Sequence, residues 1–444
     1  MPKVGFVSLG CPKNLVDSEV MMGMLSRDGF EITASQQEAE VIVVNTCGFI
    51  ESAKQESVDT ILEMAQQKVS GNCRRLIVAG CLVERYRAQI QAQIPEVDAV
   101  IGTNEISSIL KLCSQEFSEP PQYESRELYL YTDKDPRVLT TPRHSAYIKI
   151  AEGCDHPCTF CVIPKMRGSF RSRPVNSIIA EARRLAGRGV KELNLVGQDT
   201  TMYGWDLGNR RGLADLIRRL DEVEGLEWIR FLYAYPNAVY DDLLRAIADS
   251  PKACKYVDMP LQHASREVLK RMKRGGNRRS LTNLIERIRT RIPGVSIRTT
   301  MIVGFPGETE EDFQELVSFV KDAEFDRLGV FIYSDEEDAA SHQLNGKVAE
   351  KIKKFRQREI MKLQSRISRR KNRSLIGKNF PVLIEGPAKE SDLLWEGRLS
   401  SQAPDIDGVV YLNDGVTENT CPGEILPVKI TEAHEYDLVG SLNV

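Results

Sequence analysis

The stretch Cys154-Asp155-His156-Pro157-Cys158-Thr159-Phe160-Cys161 decides how the rest of the chain is read. Its three thiols, at Cys-x3-Cys-x2-Cys spacing, follow directly on the apolar run Ala146-Tyr147-Ile148-Lys149-Ile150, the pattern of a buried strand entering a tight loop. Such a loop wraps three thiolates around one iron-sulfur cube, whereas a cube held entirely by protein takes a fourth cysteine. No fourth cysteine lies nearby. One iron is then left open, and an open metal position is where a substrate or cofactor coordinates, as in catalytic rather than structural zinc sites. The alternatives are a zinc knot or a chance cluster of buried cysteines. Zinc usually takes four ligands, often from two Cys-x2-Cys pairs, and here Cys158 and Cys161 form a single such pair.

Around this loop, 444 residues suggest about three domains if each takes roughly 100 to 200 residues. Hydrophobic content of 41% and charged content of 28% are ordinary for a globular protein. No apolar run approaches the roughly 18 residues of a membrane span, and Val4 to Leu9 reads as a strand rather than a leader, so a cytoplasmic location without membrane contact is expected. In that reducing compartment the ten cysteines read as metal ligands or spare thiols rather than disulfides. A net charge of -3 does not demand nucleic acid.

Residues 1–118 alternate strand and helix patterns. The runs Val4 to Leu9, Val41 to Val44 and Leu76 to Ala79 each lead within a few residues to a cysteine: Cys11, Cys47 and Cys81. Continuous apolar runs separated by helix-length segments predict a parallel sheet, and open parallel sheets bind ligands beyond the carboxyl ends of their strands. Three cysteines at equivalent strand ends therefore read as a second ligand set converging on one crevice, again with one iron open. Packing alone remains the alternative for any one of them, and it is the reading adopted for Cys73, Cys113, Cys254 and Cys421. His156, inside the cluster loop, is expected to shape that loop.

At the Cys154 to Cys161 loop the chain resembles the radical S-adenosylmethionine (SAM) superfamily, whose signature is this loop after a first barrel strand. With both triads in view it is similar to the methylthiotransferases over essentially its whole length. Ser8-Leu9-Gly10-Cys11-Pro12-Lys13-Asn14, Asn45-Thr46-Cys47-Gly48-Phe49-Ile50, Pro164-Lys165-Met166-Arg167-Gly168 and Met259-Pro260-Leu261-Gln262-His263 resemble the members that modify a ribosomal protein more than their tRNA-modifying relatives. The resemblance implies an α/β chain of three parts. These are a flavodoxin-like parallel-sheet domain at 1–118, a radical SAM core with a partial (β/α)6 TIM-type barrel and connecting helix at 140–372, and a small OB-like antiparallel β-barrel, TRAM, at 373–444. Residues 119–139 form the linker, where Leu128-Tyr129-Leu130-Tyr131 alternates like a strand between proline-containing ends.

The same resemblance implies two 4Fe-4S clusters. Cys154, Cys158 and Cys161 would hold the one whose open iron takes the amino and carboxylate groups of SAM; Cys11, Cys47 and Cys81 would hold an auxiliary cluster that carries the sulfur. It further implies two SAM molecules per turnover, an aspartate of small-subunit ribosomal protein twelve as substrate, its β-methylthio derivative as product, and an electron donor such as flavodoxin. An aspartate β C–H is unactivated, so no side-chain acid or base is expected to act, and cofactors carry such chemistry.

Strands are expected at Tyr147 to Ile150, Glu192 to Val196, Trp228 to Tyr233, Tyr256 to Met259, Ser296 to Val303 and Leu328 to Tyr333, with the chemistry gathered where strands end. Gln198 and Asp199 after the second strand, Gln262 after the fourth, and Arg298 and Gly304 on and after the fifth are the candidate SAM contacts; the Gly304 loop opens a helix and lets backbone approach a ligand.

Lys347 to Ser374 reads as an amphipathic helix with Ile352, Phe355, Ile360, Leu363 and Ile367 near one face, and twelve Lys or Arg against two Glu. It is a candidate RNA-contacting surface, or a solvated connecting helix. From Ile376 onward, short runs at Phe380 to Ile384, Val409 to Leu412 and Ile425 to Ile430 suit a small barrel, with four Lys or Arg against twelve Asp or Glu. Phosphate binding needs cations, so this barrel suits a basic ribosomal protein better than tRNA. Two rival functions stand beside the main one: the same chemistry at carbon 2 of N6-isopentenyladenosine in tRNA, and a non-catalytic iron-sulfur or zinc RNA-binding protein.

Overall fold

The computed structural model describes residues 2–114, 128–389 and 391–442. Its first sheet holds β1 (Lys3–Ser8), β2 (Glu31–Thr33), β3 (Val41–Thr46), β4 (Arg75–Gly80) and β5 (Ala99–Ile101), all parallel, in the order β2-β1-β3-β4-β5. That is the flavodoxin-like order. Every residue of β3 is buried, which is why Val41 to Val44 is unbroken apolar sequence rather than an alternation. The helix Pro12–Arg27 starts directly after Cys11, with proline at a first-turn position where no N–H is needed. Its Val16, Val20 and Met24 join one apolar cluster with Tyr147, Trp228 and Tyr256, so this helix is shared between the first sheet and the barrel.

The middle of the chain contributes β6 (Ser145–Lys149), β7 (Ala151–Glu152), β8 (Arg171–Ser172), β9 (Glu192–Val196), β10 (Trp228–Phe231), β11 (Tyr256–Asp258), β12 (Ser296–Val303) and β13 (Arg327–Ile332). β7 and β8 form an antiparallel ribbon too short for any sequence period to announce. The other six pair in parallel as β6-β9-β10 and β11-β12-β13, with the parallel bridge Ile229–Ala253 between the two groups. The result is the incomplete barrel of six strands in chain order. Its core is aliphatic and buried, with Ile148, Leu193, Leu195, Ile297 and Met301 essentially inaccessible.

The alternating stretch at 128–131 is not a strand; the remainder of the expected linker up to 127 lies outside the described residues. Side-chain bonds replace ladder pairing there. The Tyr131 hydroxyl donates to Glu181 Oε2 at 3.1 Å and accepts the Lys149 N–H at 3.1 Å, and the Arg173 guanidinium lies 4.0 Å from the centre of its ring.

The basic segment forms the helix Glu350–Arg373. Ile360 and Ile367 enter the barrel core, but Ile352 and Phe355 are 45% and 50% exposed, against expectation. Polar residues complete the inward face instead: Arg356 pairs with Glu308 at 2.8 Å, and Gln364 donates to the Phe325 carbonyl at 2.8 Å.

The C-terminal part contains β14 (Asn379–Ala388), β15 (Ser391–Leu399), β16 (Val410–Asp414), β17 (Ile425–Ala433) and β18 (Leu438–Leu442), closed in the order β14-β15-β16-β18-β17. The antiparallel expectation is corrected at one place, where β16 and β18 pair in parallel. A closed ring with an odd number of strands cannot alternate direction everywhere, so at least one pair must be parallel. β15 escapes an apolar-pattern search because Arg398 points inward: it is buried and bonds Glu192 of β9 at 2.6 Å, while Arg230 of β10 reaches the same carboxylate at 3.1 Å. Cys73, Cys113 and Cys254 are buried as expected, whereas Cys421 is exposed, in the turn before β17. Among the described residues no helix is long and apolar enough to cross a membrane.

Candidate metal centre

β1, β3 and β4 point their carboxyl ends the same way, which brings the loops of Cys11, Cys47 and Cys81 together. The approach is close. Gly10 has φ +86°, and a Cβ there would lie 2.8 Å from Cys47 Cβ and 3.2 Å from its sulfur, so only glycine fits between the first two loops. Gly80, before Cys81, has φ +97° and has no room for a side chain against Asn45. Asn14 ties the three loops into one unit: its Nδ2 donates to the Leu9 and Thr46 carbonyls at 3.1 and 2.8 Å, and its Oδ1 lies 3.6 Å from the Cys81 sulfur.

The second triad comes from one continuous loop after β7. The Cys154 N–H donates to the Gly168 carbonyl at 3.1 Å, and the Cys161 N–H to the Cys158 carbonyl at 3.2 Å. His156 braces this loop as expected, bonded to Asp199 Oδ2 at 2.6 Å and stacked 3.7 Å from Tyr235. Arg274 lies 3.6 Å from the Cys158 sulfur.

All six cysteines line one cavity of about 400 Å³. Gln198, Asp199 and Gln262 are on its wall, together with Lys13, Asn14, Arg167 and Tyr233. Arg298 and Gly304 are not. Arg298 bonds Asp258 at 2.7 Å, and the Gly304 N–H donates to Glu308 at 2.6 Å.

The thiols differ in their electrostatics. Burial pushes Cys154 up to about 11 and Cys161 and Cys81 up to about 12, and it raises Cys47. For Cys11 burial acts in the same direction, but the Lys13 ammonium and Arg167 guanidinium outweigh it and its pKa falls below the ordinary thiol value. Arg167 is the centre of a buried network between the first sheet and the barrel. It lies 3.4 Å from the Cys81 sulfur, bonds Asn14, and pairs with Asp17 at 2.9 Å and Glu152 at 3.1 Å. Lys149 completes the network by pairing with the same two carboxylates, and Gln198 donates to Glu152 at 2.6 Å.

The donor set fits clusters better than single ions. All six thiols are free of disulfides, and among the described residues no three Cys, His, Asp or Glu side chains converge tightly enough to share one metal ion. Three soft thiolates set around a loop suit the separate corners of an iron-sulfur cube, and a bound cation deprotonates thiols that burial otherwise keeps neutral. Lys13, Asn14 and Arg167 lie in stretches that carry the family resemblance, yet their spacing announces no role. Their proximity in sequence to a cluster cysteine is the one available signal.

A barrel of this form with such a loop defines a radical SAM protein, and the comparisons agree. The Radical SAM superfamily matches residues 148–320, the TRAM domain 376–442, and Uncharacterized protein family UPF0004 residues 3–102. The fold resembles two solved structures. One is the radical SAM methyltransferase TsrM from Kitasatospora setae, with TM-score 0.53 and 16% identity over 75% of each chain; the other is the cobalamin-dependent radical SAM enzyme OxsB, with TM-score 0.52 and 14% identity over 82% of this chain and 56% of that one.

Sequence relatives are far nearer. The ribosomal protein uS12 methylthiotransferase RimO of Solibacter usitatus is 59% identical over 99% of this chain and 94% of its own. Those of Koribacter versatilis and Geobacter sulfurreducens are 53% and 48% identical, each over 99% of this chain and 96% and 98% of their own. The chain belongs to the RimO family of ribosomal protein uS12 methylthiotransferases.

Proposed function

We propose that the protein adds a methylthio group to the β-carbon of an aspartate in ribosomal protein uS12, using one SAM as methyl donor and a second as radical source. The observation that carries this reading is the single cavity bearing both cysteine triads, because the sulfur and the carbon radical must meet at one atom. When bound, two 4Fe-4S clusters and SAM supply the one-electron chemistry, the sulfur and the methyl group that an unactivated C–H requires.

The chain's own residues hold, orient and exclude. Cys154, Cys158 and Cys161 hold the radical SAM cluster, and Cys11, Cys47 and Cys81 the auxiliary one. Gln198, Asp199 and Gln262 contact SAM from the cavity wall. Arg298 acts at one remove, fixing Asp258, whose other oxygen accepts the Tyr233 N–H at 2.9 Å. Gly304 keeps the fifth-strand loop close to the helix behind it, with no room for a side chain against Lys353. No side chain transfers a proton in this scheme. Lys354, Arg358, Lys362 and Arg366, exposed at four-residue intervals on one helix, form a stripe suited to ribosomal RNA when uS12 is presented on the small subunit. A flavodoxin-type donor supplies the electron, and the reaction takes place in the cytoplasm, where ribosomes are.

Mass spectrometry of uS12 and tRNA from a strain lacking this chain tests the reading. The expected result is loss of a methylthio group from uS12 alone; loss from tRNA alone overturns it.

A further inference from the structure

Lys13 is a buried cation whose charge acts on the Cys11 thiol of the same segment. It is 8% exposed, lines the shared cavity, and among the described residues no carboxylate pairs with it. Lys149 provides the contrast. It is also buried in the same junction, but it is paired with both Asp17 and Glu152. A buried ammonium is costly unless it is paired, so one on a cavity wall with no carboxylate beside it is a site for an anion that arrives from outside.

The position of the ammonium is defined by what lies under it. Its Nζ stands 3.4 Å from the centre of the Tyr233 ring, a contact attractive to a cation. Tyr233 is itself clamped. It holds φ +65°, a left-handed conformation costly for a residue with a Cβ, and is kept there by its N–H bond to buried Asp258 and by its carbonyl, which accepts the Thr200 N–H at 3.2 Å. Lys13 comes from the first turn of the helix that follows Cys11 and Tyr233 from just beyond the end of β10, so the pair spans the two halves of the cavity.

We propose that Lys13, seated on Tyr233, binds the side-chain carboxylate of the substrate and so selects an acidic residue. This assignment rests on the function proposed above and names the group that recognises its substrate. Lys13 lines the cavity that both triads line, so a carboxylate held by it keeps the carbon bonded to that carboxylate inside the same cavity, and in aspartate that carbon is the one to be modified. An adenine base has no anion to offer at this point.

The test is equilibrium binding, by fluorescence anisotropy, of two uS12 peptides to the anaerobically reconstituted full chain. One peptide carries the target aspartate and the other asparagine in its place, and the proteins are wild type, Lys13→Met, Lys13→Gln and Lys13→Arg. A charge-assisted contact predicts that wild type favours the aspartate peptide by roughly tenfold or more. Both neutral variants should bring the ratio close to one, and Lys13→Arg should restore most of it. Persistence of the preference in the neutral variants, or its absence in wild type, overturns the assignment. Loss of the auxiliary cluster's iron and EPR signal in both neutral variants also overturns it, by making Lys13 the cluster's counter-ion. If wild type neither binds nor methylthiolates the aspartate peptide, the proposed function fails as well. If it does both while the neutral variants keep the preference, only the role of Lys13 fails.

Discussion

The two cysteine triads reach the same cavity by opposite routes. Cys154, Cys158 and Cys161 sit in one eight-residue loop, so their arrangement is local and depends on backbone bonds within that loop and its return at Gly168. Cys11, Cys47 and Cys81 come from three strand ends, and they are assembled by the whole first sheet, by Asn14, and by Arg167 from the neighbouring barrel domain. A local site is readable from spacing alone and is robust to change elsewhere. A distributed site is sensitive to substitutions that touch no ligand.

Breaking either triad separates the two half-reactions most completely. Cys158→Ala should abolish deoxyadenosine formation, read by chromatography of the reaction, whereas Cys47→Ala should retain some SAM cleavage and lose all methylthio product by mass spectrometry. Unimpaired methylthiolation in Cys47→Ala would remove the strand-end triad from the mechanism.

Arg167→Met sharpens the contrast, because the cysteine sulfur that Arg167 contacts is that of Cys81, in the distributed site. It leaves Asp17 and Glu152 facing Lys149 alone, and removing one partner of a buried pair costs about 3–5 kcal/mol, to be read as a lowered melting temperature. Hydrogen bonds to cluster sulfurs and local charge tune reduction potentials. Losing a cation and donor beside Cys81 should therefore lower the auxiliary potential in an EPR-monitored titration, while the radical SAM cluster keeps its own. Asn14→Ala should act in the same direction with a smaller cost, about 1–3 kcal/mol for the groups left unsatisfied.

The junction between the two barrels serves as a control remote from both triads. Glu192 is fully buried there. Burial pushes its pKa up, but Arg398 and Arg230 outweigh that and hold it down to about 2. A carboxylate whose pKa is depressed on folding adds stability that is complete above its unfolded value and is lost as pH falls toward the folded one. Wild type should therefore lose stability between about pH 4.5 and 2 from this group, and Glu192→Gln should flatten that part of the denaturation profile. The exposed pair Arg218–Asp242, 2.7 Å apart, marks the lower end: Arg218→Ala should change stability by less than about 1 kcal/mol.

What the sequence disclosed follows the same division. Strands buried on both faces are apolar runs, so β1, β3, β4 and the barrel strands were legible, and cysteines at their ends stood out. Arg167, Lys13 and Asn14 were not legible as functional residues, because their roles depend on partners such as Asp17 and Tyr233 that only the folded junction brings near. β15 and the inward face of the long helix were obscured for a related reason. Arg398, Arg356 and Gln364 are buried polar groups satisfied by distant residues, which a hydrophobic pattern scores as surface.

The most direct test of the shared cavity is an anomalous iron map from crystals of the anaerobically reconstituted protein. Two iron-sulfur clusters are expected, one on each triad, opening on the same space. A single cluster, or two that open into separate cavities, would contradict the account.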